Sequence, residues 1–162
     1  MYDRSKMHYI VVTGIIVKDN RYLIAKRSSK EKVMPNLWTV PGGRLELKDY
    51  IYRHKDTNLH WYNVFEDLLR REVREETGLE IKNIGYVTSM VFFRPDGVPT
   101  VVVSLSADHH NGEVLLSDEL TDHKWVTLEQ AKAYDLIEGI YEELEILDKM
   151  LKGGNMESWK KI

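Results

Sequence analysis

The stretch RREVREETGLE, Arg70 to Glu80, sets Glu72, Glu75 and Glu76 at helical spacing. Residues three and four apart are neighbours on a helix, and like charges there cost about 0.2–0.5 kcal/mol per pair. Something must offset that cost. With Phe65 at zero and a turn of about 100° per residue, Phe65, Leu68, Leu69 and Val73 fall within about 80° of zero. Glu72, Glu75 and Glu76 land on the same side, at about −20°, −80° and +20°. Asp67, Arg70, Arg71 and Arg74 lie elsewhere. A solvated, salt-bridged helix would place its acids opposite the leucines. Carboxylates on an inward face shift their pKa or find a cation. A hard divalent ion such as Mg²⁺ suits oxygen donors, with one or two carboxylates completed by water and substrate phosphates. The helix reads as one wall of a Mg²⁺–phosphate site.

The elements that must hold this wall are legible on either side of it. YIVVTGIIV (9–17) is rich in β-branched residues and reads as a buried strand; KDN turns it, and RYLIAKRS returns as a hairpin. LWTV is a short strand stopped by Pro41, Gly42 and Gly43, with RLEL resuming it. Residues 48–62 have no clean period and mix charge with aromatic residues, which predicts a long ordered loop. The acidic helix is expected from about Asn63 to Thr77, with Asn63 as N-cap, Glu66 completing a capping box and Gly78 ending it. Strands follow at IKNIGYVTSMVFF and TVVVSLSAD, then a short strand in HKWVTL, a helix near Leu128–Ala133, and an amphipathic helix over 136–151. The expected fold is α+β, a central mixed β-sheet with helices packed on it, in one domain spanning 1–162.

Composition narrows the function classes. A net charge of −3 offers no bulk attraction to a nucleic-acid backbone or an anionic membrane. Phosphate binding then needs local arginines or metal ions. The chain has no cysteine, so disulfides and thiolate metal sites are excluded. No apolar run approaches the roughly 20 residues of a membrane span, and MYDRSKMH does not lead into a signal peptide. The cytoplasm is the default expectation.

PGGRLE at 41–46 followed by REVREETGL at 71–79 resembles the Nudix hydrolase family. The family pattern is Gly, five residues, Glu, seven residues, then Arg-Glu-apolar-x-Glu-Glu-x-Gly-apolar. Arg71, Glu72, Val73, Glu75, Glu76, Gly78 and Leu79 match its second half at every position. Counting back eight from Arg71 reaches Asn63, and counting forward six from Gly43 reaches Asp49, so the box is split by about 14 residues. Asp49, Glu46, Asn63 or nothing takes the place of the box Glu. The resemblance implies an α/β/α sandwich and a Mg²⁺-dependent hydrolase, with Mn²⁺ as a substitute.

Residue by residue, the resemblance implies that Glu75 and Glu76 ligate the metal and that Glu72 ligates it or acts as general base. The Gly42 carbonyl would complete the coordination and Arg71 would orient the carboxylates. Glu119 is the first choice for a further acid from a later loop and Asp122 the second; for Glu119 a plain loop charge is the alternative. On the substrate side stand Arg27, as a phosphate contact or a strand-edge arginine, Trp38, beside a base or in the core, and Glu46. The expected substrates are nucleoside triphosphates, with ADP-ribose or nucleotide sugars as the second class and a non-catalytic nucleotide sensor as the rival reading. The expected assembly is a monomer or homodimer, with no nucleic-acid polymer and no membrane as partner. The 48–62 loop, with His54, His60, Trp61 and Tyr62, is a lid, a dimer contact or a packed cover.

Overall fold

The first two strands build both faces of the sheet. In the computed structural model, which describes residues 1–162, β1 (Tyr9–Lys18) buries Val12 and Ile16 on one face and Ile15 on the other. In β2 (Arg21–Arg27), Leu23 faces the first side, and Tyr22 and Ile24 the second. This period-two alternation within continuous apolar runs requires a cover on each face. The acidic helix α1 (Val64–Thr77) covers one face with Leu68, Leu69 and Val73, all fully buried. The short α2 (Leu128–Ala131) and α3 (Ile140–Leu151) cover the other with Ala131, Ile140, Leu144 and Leu147.

The remaining strands are β3 (Trp38–Thr39), β4 (Gly42–Arg44), β5 (Glu80–Phe93), β6 (Pro99–Asn111) and β7 (Leu120–Val126). The order is β3-β2-β1-β6-β5, with β4 on β1 and β7 on β2. The β1–β6 pair is parallel and the others antiparallel, so the sheet is mixed as expected. β1 and β2 pair only at Val17–Tyr22 and Lys18–Arg21 and then diverge. β4 enters the opening and pairs with Val11, Val12 and Thr13 of β1. No helix is long and apolar enough to cross a membrane.

Several boundaries differ from the sequence expectation. β3 ends at Thr39, before Pro41 as expected, but Gly42 and Gly43 open a new strand, because β1 offers them a free hydrogen-bonding edge. RLEL does not resume it: Leu45 makes a last bond to Ile10, and Leu47–Asp49 form a 3-10 turn. Asn63 does not cap through its side chain. It takes a left-handed conformation (φ 55°), and the capping box forms instead between Glu46 and Asp49. α3 begins at Ile140, not 136, because Gly139 at φ 94° breaks the preceding backbone.

Leu69 is fully buried and reaches so close to β1 that a Cβ on Gly14 would lie 2.6 Å from its Cδ1. Leu69→Ala should therefore leave a cavity between helix and sheet and lower stability by about 2–5 kcal/mol. Urea unfolding at unchanged m-value measures it; a loss below about 1 kcal/mol would show that α1 does not depend on this contact.

Candidate active site

The glycine strand and the acidic helix meet without room for a side chain between them. A Cβ on Gly43 would sit 2.2 Å from Glu72 Cδ, and one on Gly42 would sit 2.4 Å from the Val12 carbonyl oxygen. Glycine at both positions lets β4 lie against β1 and brings its backbone onto the carboxylates of α1. The Gly42 N–H donates to Glu76 Oε2 at 3.2 Å.

Arg71 sits at the hub of the acids. Its Nε donates to Asp49 Oδ1 at 2.6 Å, and its Nη1 lies 3.0 Å from both Glu72 Oε1 and Glu75 Oε2. The Asp49 side chain is 2% exposed although it stands 22 positions away in sequence. The loop 112–119 is stitched to the end of α1: Leu115 and Ser117 donate backbone bonds to Thr77 and Glu76. Ser28 N–H then holds the Glu119 carbonyl at 2.8 Å. This brings the Glu119 charge within reach of both Glu72 and Glu76.

The electrostatics follow from crowding. Burial pushes the Glu76 carboxyl up to about 8, with the Glu72 and Glu119 charges adding to it; the Gly42 N–H and Arg27 act against it. Burial also raises Glu72, Arg71 opposes this, and Glu75, Glu119 and Asp49 raise it further. One arginine thus answers Asp49, Glu72 and Glu75 directly and leaves Glu76 without a cationic partner. No three Asp, Glu or His side chains converge closely enough to enclose an ion alone. The all-oxygen, under-neutralised donor set fits Mg²⁺, which takes few protein ligands and keeps the rest for water and phosphate.

The structure places the other expected residues unevenly. Glu75 is not inward: its side chain is 58% exposed, because −80° is the edge of the helix face. Glu46 ion-pairs with Lys48 at 3.0 Å at the surface and stays outside the cluster. Asp122 is exposed beside Lys124. Trp38 belongs to the core, edge-on to Tyr134 at 4.8 Å, so its expected place beside a base is corrected. β3 turns the indole inward, and its neighbours Thr39 and Val40 face an adjoining cavity instead. Arg27 lines that cavity, paired with Glu31 at 3.2 Å. The 48–62 loop packs on itself through Tyr50 and Trp61, and Arg53 ties it to Asp67 of α1 at 3.6 Å. Sequence reasoning missed Glu143, a buried acid beside the cavity. Its signal was present, since Glu143 lies three residues after Ile140 on the apolar face of α3.

Comparison with known proteins gives the family of this fold. The family model described as NUDIX domain matches residues 7–145. The nucleoside triphosphatase NudI of Salmonella agona is 26% identical over 137 residues, covering 78% of this chain and 86% of that protein. The solution structure of the E. coli ORF135 protein superposes with a TM-score of 0.68 at 25% identity, over 94% of this chain and 97% of that one. An ADP-ribose pyrophosphatase from Streptococcus suis shares the fold, with a TM-score of 0.65 at 16% identity over 94% and 98%.

The Glu76 pKa, raised from the ordinary 4.5 to about 8, makes a stability prediction for the metal-free protein. A raised folded pKa contributes stability that is whole below about pH 4.5 and lost as pH rises through about 8. Glu76→Gln should match the parent near pH 4.5 and exceed it by about 2–4 kcal/mol at pH 8.5. Thermal unfolding in EDTA across this range reads the difference; parallel curves for the two proteins would rule the buried charge out.

Proposed function

The chain belongs to the Nudix family and is a pyrophosphohydrolase of that type, and from this premise we propose that it hydrolyses nucleoside triphosphates with Mg²⁺. The observation that carries the reading is the under-neutralised acid cluster against the Gly42–Gly43 backbone, with the Glu76 carboxyl lacking a cationic partner. The name of the NudI relative supports triphosphates as the substrate class. ADP-ribose and nucleotide sugars form the second class. The expected setting is the cytoplasm, with Mn²⁺ as substitute metal and a monomer or homodimer as the assembly.

Glu72 and Glu76, with the Gly42 carbonyl, would hold the ion, with Glu119 beside them and Glu75 at the exposed edge held by Arg71. Bound there, Mg²⁺ would neutralise phosphate oxygens and lower the pKa of a coordinated water. Arg71, fixed by Asp49, orients Glu72 and Glu75 through its Nη1. Glu72 is the candidate general base, since its raised pKa moves it toward the working pH. It takes the proton as the water oxygen bonds to phosphorus and the bridging P–O bond breaks. The products are a nucleoside monophosphate and pyrophosphate, or a phosphorylated remainder. Arg27, which lines the adjoining cavity, is the candidate phosphate contact.

The family box is read as split after Asp49. Asp49 stands six after Gly43, where the box carries Glu, and its bond to Arg71 joins the two halves across the inserted loop.

Phosphate and pyrophosphate release should be measured with Mg²⁺ on ordinary and oxidised triphosphates, ADP-ribose, nucleotide sugars and dinucleoside polyphosphates. Turnover of triphosphates is expected, falling about 100-fold or more in Glu76→Gln. Turnover confined to ADP-ribose or sugars would replace the substrate class. A folded protein that binds Mg²⁺ and turns over nothing would be a nucleotide-binding module.

A further inference from the structure

A cavity of about 520 Å³ opens between the sheet and the start of α3, and its wall reaches residues that neighbour the acid cluster. Thr13, on its wall, pairs with Gly42, whose N–H holds Glu76; Arg27, also on its wall, acts on the same carboxyl. The size suits a small-molecule ligand. What enters is the part of the substrate that trails from its phosphates.

The chemistry of the wall says which part. Val11, Val40, Phe92, Val102 and Ile140 make it largely apolar. A sugar, ringed with hydroxyls, would leave most of its polar groups unpaired there. A flat heteroaromatic ring would not. Trp159 supplies a second aromatic surface: the C-terminal tail folds back so that its indole N–H donates to the Gly139 carbonyl at 3.3 Å, and Lys161 lies 3.7 Å from Glu138 at the rim. Against this apolar lining stands one buried acid. Glu143 is 5% exposed; Ser104 Oγ donates to its Oε2 at 2.8 Å, and no protein donor meets its Oε1.

We propose that Glu143 is the residue that selects the base, its free carboxylate oxygen accepting a hydrogen bond from an exocyclic amino group of a nucleobase seated between Trp159 and Phe92. This rests on the nucleotide reading above. A keto oxygen in place of the amino group meets a carboxylate oxygen and leaves both unpaired. The enzyme therefore favours an amino-bearing base over the same base deaminated, and Glu143 is the source of the preference.

Bases related by deamination make the test: dCTP against dUTP, dATP against dITP, and dGTP against dXTP. For the base that fits, kcat/KM should favour the amino member by about tenfold or more. Glu143→Leu should bring the ratio within about twofold, with the change falling on KM. Equal treatment of both members by the parent, or an unchanged ratio in Glu143→Leu, overturns the proposal. If Glu143→Leu does not fold, CMP against UMP, AMP against IMP and GMP against XMP are titrated into the parent without metal, following tryptophan fluorescence. Tighter binding of the amino member by tenfold supports the proposal, and equal binding overturns it. These titrations do not depend on turnover. A base preference without hydrolysis would retain Glu143 as reader and reject the hydrolase reading alone.

Discussion

A carboxylate in an apolar surround either takes up a proton or requires a cation. That constraint organises everything around α1. The helix seats its leucines against the sheet, and the same face carries Glu72 and Glu76 inward one turn later. The glycine strand closes over them so tightly that a methyl group at Gly43 would have to displace the Glu72 carboxylate. Arg71 can neutralise only part of the charge. The packing that stabilises the fold thus creates a local deficit of positive charge, and a divalent ion with its phosphate ligand is the chemistry that relieves it.

The splayed sheet makes this arrangement possible. A regular β1–β2 ladder would leave no place for β4 and no gap beside it. Because the two strands part after Val17 and Tyr22, β4 reaches the carboxylates on one side, and Arg27, Thr39 and Val40 line a cavity on the other. Thr13 lines the cavity, and its strand partner Gly42 holds Glu76 of the acid cluster.

Two acids illustrate how far a pattern reaches. Glu72 and Glu76 are visible as inward charges because helix period and apolar stripe both lie within a dozen residues. Glu143 has the same signature on α3, three residues after Ile140, and reads as an ordinary helix charge until the cavity beside it is known. Glu75 shows the reverse error: a helical wheel places it near the acids, but at −80° it lies at the edge of the inward face, exposed and paired with Arg71.

The sequence by itself determined the alternation of β1 and β2, the extent of α1 up to Gly78, the inward turn of Glu72 and Glu76, and the motif halves around Gly43 and Arg71. These depend on local backbone periods, which neighbouring residues set among themselves. Only the tertiary structure decided that Asp49, rather than Glu46 or Asn63, holds Arg71, that Glu119 rather than Asp122 approaches the cluster, and that Trp38 belongs to the core. Each of those outcomes joins residues far apart in the chain through loops without a period. Their geometry follows from which hydrogen bonds and apolar surfaces the rest of the fold leaves unsatisfied, and no local pattern encodes that.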